Sequence, residues 1–214
     1  MKPPQHLHEL GKRMINGPEY SFYTLSNSYN ILITYINFVP LLTKSQHRNF
    51  FQCDMLAHLS VCGLTAHRLF ATGDKTSIPA ICRFIKKNKQ TIVPDEIQEN
   101  DEFWKFLKYY SEENLKKSDR FKRIKKFRDT YIGHSQLDSA FFATKGLNLP
   151  SPELFLQVIE EANEFIAFVY TYIFGTIYRD HRLGSIAEFR TETYNQTNLL
   201  LESLLGTSAS SSHL

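Results

Sequence analysis

The stretch Ser45–Thr72, SQHRNFFQCDMLAHLSVCGLTAHRLFAT, decides the fold class of this protein. Apolar residues recur in it at steps of three or four, which is the pattern of a helix with one buried face. They are Phe51, Met55, Leu59, Cys62, Ala66 and Leu69. The whole stretch is long enough for about seven turns and therefore predicts a long central helix.

A second stretch, Ser151–Asp180, predicts a helix of the same kind. Its Ser-Pro-Glu start supplies an N-cap, a proline at the first helical position and an early acid. The apolar positions that follow are Leu154, Val158, Ala162, Phe165 and Val169. Two long helices with such faces can pack along their lengths, so we expect an all-α bundle with long antiparallel helices.

The remaining sequence predicts shorter helical segments and no strands, because no segment sustains an alternation of apolar and polar residues. The predicted segments are Tyr20–Leu42, Ser77–Asn88, Asp101–Glu113 and a basic helix over Leu115–Ile132. We expect a single helical domain over residues 1–205. A disordered tail is expected over 206–214, where small polar residues cannot build a core.

The composition favours a folded protein of a reducing compartment. The chain has 214 residues and is 42% hydrophobic, which is enough for one substantial core. Cys53, Cys62 and Cys82 lack the close pairing of a disulfide framework or a zinc site. No apolar run reaches the length of roughly 18 residues expected of a membrane span. We therefore expect a cytoplasmic protein without membrane attachment, metal or cofactor.

Positive charge is concentrated in one segment, although the net charge of the chain is only +3. Lys116 to Arg128 contains eight basic residues and one acid, a local net charge of +7 that leaves −4 for the rest. Such a segment attracts phosphate, because each neutralised phosphate also releases condensed counterions. The alternative interpretation is an ordinary solvated helix surface.

At the end of this segment, in KKFRDTYIGHSQ, Arg128 precedes His134 by six positions. RNA is cut without metal when a base assists attack of the 2′-hydroxyl on phosphate and a fixed cation stabilises the phosphate charge. Histidine transfers protons near neutral pH, and the planar guanidinium of arginine matches phosphate oxygens. Chance alone predicts about one such spacing in a chain of this composition. A helix C-terminus capped by Gly133 therefore remains an alternative interpretation.

Helix geometry adds a condition to this pairing. Six positions place Arg128 and His134 about 120° apart on a regular helix. They can share one phosphate only if the helix ends between them, which Gly133 allows, or if two chains contribute to one site.

Two segments of the chain resemble the HEPN superfamily. KKFRDTYIGHSQ is similar to its Arg-x(4–6)-His motif, with polar Asp129 after the arginine and small Gly133 before the histidine. Leu69–Ile85, LFATGDKTSIPAICRFI, resembles the abortive-infection (AbiU-type) branch, where a long helix ends and a Ser-Ile-Pro helix begins. The similar region covers roughly residues 49–177.

The resemblance implies a HEPN-like helical bundle, usually a homodimer, that acts as a metal-independent endoribonuclease in a toxin or antiphage defence system. Arg128 and His134 would be catalytic, and Asp129 would orient them. Four basic residues would line the path of the RNA, and they are assigned by their charge and not by the motif. They are Lys122, Arg123, Lys125 and Lys126. An antitoxin or another partner protein is also possible in such systems. Gln136 stands where some members carry a nucleotidylated tyrosine, so that control is not expected here.

Other interpretations stay open beside the ribonuclease. The main one is a non-catalytic HEPN-like module that binds RNA or protein, because members of a superfamily often keep the fold after the activity is lost. His58 and His67 lie nine positions apart, on opposite sides of the central helix, so they are not a natural metal pair. Aromatic residues before the basic segment are expected to pack in the core rather than stack on RNA bases. They are Trp104, Phe106, Tyr109 and Tyr110.

Overall fold

The computed structural model describes residues 5–132, 151–175 and 182–205. Every regular element in these ranges is helical, so the all-α prediction is confirmed. The α-helices are α1 (Gln5–Met14), α2 (Tyr20–Leu42), α3 (Arg48–Phe70), α4 (Ile78–Lys87), α5 (Lys89–Ile92), α6 (Asp95–Gln98), α7 (Asp101–Tyr109), α8 (Glu112–Lys117), α9 (Asp119–Phe127), α10 (Pro152–Val169) and α11 (Arg182–Leu205). Three π-helical segments join them: π1 (Ile15–Glu19), π2 (Arg128–Ile132) and π3 (Tyr170–Phe174).

The predicted central helix is α3, which forms a helical hairpin with α2. The connection over residues 43–47 is short, so the two helices pack antiparallel. Five of the six residues of the predicted stripe are buried, and Met55 is partly buried against them. The other side of α3 packs against α9 and π2. The central helix therefore connects the core to the basic segment.

The predicted second long helix is α10, and the five apolar positions predicted for its buried face are all buried. The prediction that it continues to Asp180 is wrong. The helix passes into π3 and ends at Gly175, whose φ of 65° is the left-handed conformation that glycine favours after a helix. Its core side lies against α2 and α3.

The sequence predicted one basic helix over Leu115–Ile132, and this prediction is wrong. α8 ends at Lys117, and the Ser118 hydroxyl accepts a hydrogen bond from the Phe121 backbone N–H at 3.4 Å to begin α9. Serine at an N-cap satisfies a backbone donor that otherwise has no partner, which favours a new helix start at this point. α9 then passes directly into π2 at Arg128.

The N-terminal helix and the last helix were not predicted from the sequence. Leu10 and Met14 of α1 are fully buried, and Leu201 of α11 is buried against the α2–α3 hairpin. Gly17 of π1 packs so closely on the chain before α4 that a Cβ there would lie 2.0 Å from the Thr76 carbonyl oxygen. The predicted tail over 206–214 lies outside the described residues.

The core is rich in aromatic contacts, as the sequence suggested. Phe106 stacks on Phe168 with 3.7 Å between ring centroids, and Tyr110 is 1% exposed, whereas Tyr109 is exposed. The cysteines are free thiols: Cys53 is exposed, while Cys62 and Cys82 are buried. No helix in the described ranges combines the length and apolar character needed to cross a membrane.

Candidate functional site

Arg128 lies where α9 gives way to π2, at the surface of the bundle. The buried side chains of Ile124 and Phe127 fix the end of α9 against the core. The Arg128 backbone N–H bonds to the carbonyls of Ile124 and Lys125. π-Helical turns inside helices are frequently found at functional sites. The change of helical type therefore falls at the residue that the motif singles out.

Each nitrogen of the Arg128 guanidinium has a partner within the chain. Nε donates to Asp129 Oδ1 at 2.7 Å, and Nη2 is ion-paired with the same carboxylate. Nη1 lies 2.9 Å from His67 Nε2 and 3.2 Å from His67 Nδ1. The Arg128 side chain is 32% exposed, so it is partly shielded from water while still reachable. The guanidinium is thus held on two sides at the protein surface.

His67 reaches this site from α3, sixty-one positions earlier in the chain. Its ring stacks on Phe121 of α9, with centroids 5.9 Å apart and an interplanar angle of 21°. Burial lowers the pKa of His67 below its usual value, and the charges of Arg128 and Lys125 act in the same direction. The Asp129 carboxylate opposes them. A lowered pKa favours the neutral ring, and a neutral imidazole can accept a hydrogen bond from Arg128.

The basic segment is partly neutralised by carboxylates. Lys116 and Lys117 pair with Glu112 and Glu113 at 2.8 Å and 2.9 Å. Two further pairs join Arg120 to Glu161 and Lys122 to Asp119. Three exposed cations have no carboxylate within ion-pair distance among the described residues. They are Arg123, Lys125 and Lys126.

The predicted site residues are therefore only partly placed. Arg128 and Asp129 are in contact, and the cations predicted for RNA are exposed on α9. His134 and Gly133 lie outside the described residues, so the pairing of Arg128 with His134 stays a prediction. His67 was missed as a contact of Arg128, because nothing in its local sequence indicates the approach of α9.

His58, on the other side of α3, faces a separate polar cluster against α2. Tyr35 donates to Asp54 Oδ2 at 2.5 Å, and His58 Nε2 lies 3.8 Å from that oxygen. Burial lowers the pKa of His58, and Asp54 opposes the shift. The two histidines of α3 therefore contact different groups, as expected from a spacing that places them on opposite sides of the helix. The described part of the chain contains no group of three metal-ligating side chains.

A small cleft is lined by Phe121 and by the ion pair of Arg120 and Glu161. Its volume is about 50 Å³, well below the roughly 300 Å³ at which ligand pockets begin. Burial raises the pKa of Glu161, while Arg120 and the Tyr109 hydroxyl favour its charged form. The cleft is too small to hold a nucleobase, and the ion pair ties α9 to α10.

The fold and the site define an all-α protein with an Arg–Asp–His cluster at the end of a basic helix. Comparison with family models, with curated proteins and with solved structures found no match in any of the three. The likeness to the HEPN superfamily therefore rests on the two sequence segments quoted above.

Proposed function

We propose that this protein is a metal-independent endoribonuclease of the HEPN type, acting as a toxin or antiphage defence effector. The observation that carries the proposal is the Arg128 guanidinium, held by Asp129 and His67 beside cations that no described carboxylate neutralises. A fixed, partly shielded guanidinium is the group needed to stabilise charge on a reacting phosphate.

In the proposed reaction, His134 takes the proton of a ribose 2′-hydroxyl. The O2′ atom attacks the adjacent phosphorus, and the bond from phosphorus to O5′ breaks. The proton taken from the 2′-hydroxyl is returned to O5′, so the products are a 2′,3′-cyclic phosphate and a 5′-hydroxyl. Arg128 donates to the non-bridging oxygens as their charge grows, and Asp129 keeps the guanidinium in place.

RNA approaches along α9 in this proposal. Arg123, Lys125 and Lys126 neutralise its phosphates, and Lys122 contributes less because it already pairs with Asp119 at 3.1 Å. Such contacts position the backbone without reading its sequence.

The active form in the proposal is a homodimer, because the twofold axis of an isologous pair brings two copies of the motif together. Light scattering at micromolar concentration should give about twice the monomer mass of 24.9 kDa. A monomer under these conditions would remove the shared site from the proposal.

The test of the function is incubation of the purified protein with end-labelled RNA in EDTA. We expect cleavage that leaves a 2′,3′-cyclic phosphate and fails on a 2′-deoxy substrate. His134→Ala should lose roughly 10²-fold or more in rate, the scale of a positioned acid or base. His47→Ala, at an exposed histidine in the α2–α3 connection, is the matched control. Cleavage that requires a divalent metal would contradict the mechanism.

A non-catalytic RNA-binding module is the second candidate function. It is favoured by the engagement of all three guanidinium nitrogens of Arg128 inside the chain. Only the second N–H of each terminal nitrogen is then left for a phosphate. A stable complex with RNA that is never cleaved would support the module over the enzyme.

A further inference from the structure

We propose that His67 is the positioning residue of this site, its neutral imidazole holding the Arg128 guanidinium in place, so that protonation of His67 switches the site off. The inference deepens the proposed ribonuclease and rests on it. His67 lies outside the Arg-x(4–6)-His motif and comes from another helix. It would give the site a control by pH that the motif alone does not contain.

The geometry supports this role from both sides of the guanidinium. Asp129 binds the edge formed by Nε and Nη2, while His67 contacts the remaining nitrogen, Nη1, at 2.9 Å. Asp129 is a neighbour in sequence and moves with Arg128, whereas His67 belongs to the central helix of the core. His67 therefore ties the guanidinium to the rigid part of the protein.

The imidazole is itself held by packing. Phe121 covers one face of the His67 ring, and Phe121 packs on the main core together with Phe70. Because α3 carries buried core residues from Phe51 to Phe70, the helix that holds the ring is fixed in the bundle and does not shift with the Arg128 guanidinium. The contact thus limits the orientations available to Arg128.

The contact requires a neutral ring. Guanidinium nitrogens only donate hydrogen bonds, so His67 must supply a lone pair, and an imidazolium has none. Described charged groups that face His67 are Arg128, Asp129 and Lys125. Two of these three are cations, so a protonated ring would be repelled from the site. Arg128 would then be held by Asp129 alone.

The same lone pair argues against His67 as the proton-transfer group. The nitrogen that accepts from Arg128 is not available to a 2′-hydroxyl, and the other nitrogen carries the ring proton. His67 therefore acts through Arg128, while proton transfer belongs to another group.

His67→Gln separates these roles. A glutamine oxygen accepts from Arg128 but does not titrate, so the variant should cleave RNA within about threefold of the wild-type rate at pH 7.5. Its rate should fall less than that of the wild type as the pH drops from 7.5 to 5.5. His67→Ala should lose about 10- to 100-fold at pH 7.5, the usual scale for a lost charge-assisted hydrogen bond.

His58→Gln is the matched control, because His58 lies on the same helix, is similarly buried and faces away from Arg128. It should leave both the rate and its pH profile unchanged. If folded His67→Gln is as inactive as His67→Ala, the imidazole itself carries a proton and the positioning role is wrong. Full activity of His67→Ala would also overturn that role.

A measurement without RNA separates this inference from the proposed function. In an NMR titration, Arg128→Gln should raise the pKa of His67, because a neighbouring cation is removed. Arg68→Gln, at an arginine that pairs with Asp74 at 3.1 Å, is the control and should leave it unchanged. Absence of cleavage by the wild type sinks the ribonuclease but not this coupling. An unchanged His67 pKa in Arg128→Gln sinks the contact even if the protein cleaves RNA.

Discussion

Arg128 has its orientation set within the chain itself, because Asp129 and His67 bind it from two directions. A charge that is already oriented needs no rearrangement when a phosphate becomes more negative during the reaction. A lysine at this position would carry the same charge without the planar arrangement of donors.

Arg128→Lys is therefore expected to lose about 10²- to 10³-fold in cleavage rate, the cost of removing one oriented donor to a transition state. One ammonium group cannot reproduce the planar set of donors that lets Arg128 contact Asp129, His67 and phosphate from separate nitrogens. The rate is measured at saturating RNA, with circular dichroism to confirm the fold. Arg68→Lys is the control, because it makes the same substitution at an arginine that pairs with Asp74 instead. Wild-type activity in Arg128→Lys would show that the reaction does not use the planar donors of the guanidinium.

Only part of the site could be predicted from the sequence. Arg128 and Asp129 are adjacent, so a local motif was sufficient to select them. The contact of His67 with Arg128 depends on how α3 meets α9, across sixty-one positions. No spacing rule reports such a contact, since it arises from the packing of Phe121 between the helices.

At the scale of elements, the long amphipathic helices were predictable because each carries a single apolar stripe. α11 was not, because Leu199, Leu200 and Leu201 are adjacent and only Leu201 is buried. Adjacent leucines do not mark a helix face. The break at Ser118 had a local signal, since a serine followed by an acid is typical of a helix start, but the continuous charge obscured it.

If the proposed RNA binding is right, the ion pairs along the basic segment predict which cations contribute to it. Lys125→Gln with Lys126→Gln removes two charges that no described carboxylate neutralises, so RNA affinity should fall. The slope of log affinity against log salt should become shallower by about 0.7 for each lost contact. The measurement is fluorescence anisotropy with a 2′-deoxy oligonucleotide at several salt concentrations.

The matched control also removes two lysines, but from existing ion pairs. Lys116→Gln with Lys117→Gln breaks the pairs with Glu112 and Glu113. The net charge changes equally, so a purely global electrostatic effect would weaken both double variants to the same extent. A larger loss in the Lys125 and Lys126 variant locates the contact on α9.

π1 gives a prediction about stability. A methyl group at Gly17 would collide with the Thr76 carbonyl, which is backbone and cannot turn aside. Gly17→Ala should therefore lower the free energy of unfolding by about 1–3 kcal/mol, the range for overpacking. Gly73→Ala has open space around the new methyl and should stay within about 0.5 kcal/mol. The free energy of unfolding of both variants is measured in urea. Equal stabilities would mean that π1 does not pack on Thr76.

For the whole molecule, the two histidines of α3 predict a loss of stability in mild acid. Both have a pKa below the ordinary value in the folded protein. The unfolded chain therefore binds protons first, at about pH 6.5, and stability falls as the pH drops below that value. Glu161, whose pKa is raised by burial, acts in the opposite direction near its own titration.

The comparison is between pH 7.5 and pH 5.5. His58→Gln with His67→Gln removes both titrating rings, so the double variant should lose less stability than the wild type across this interval. The free energy of unfolding is measured in urea at each pH. An identical loss in both proteins would assign the acid sensitivity to other groups.

The rates at which the cysteines are modified can report how often the core of the protein opens. Cys53 is exposed and should react with a thiol reagent at once, whereas Cys62 and Cys82 are buried in neighbouring helices. Burial raises the pKa of Cys62 to about 12 and also raises that of Cys82, so both thiols should react only when the core opens. One fast and two slow modifications are expected in a mass spectrum recorded over time. The slow rate then measures how often the core of the folded molecule opens, without any substitution in the chain.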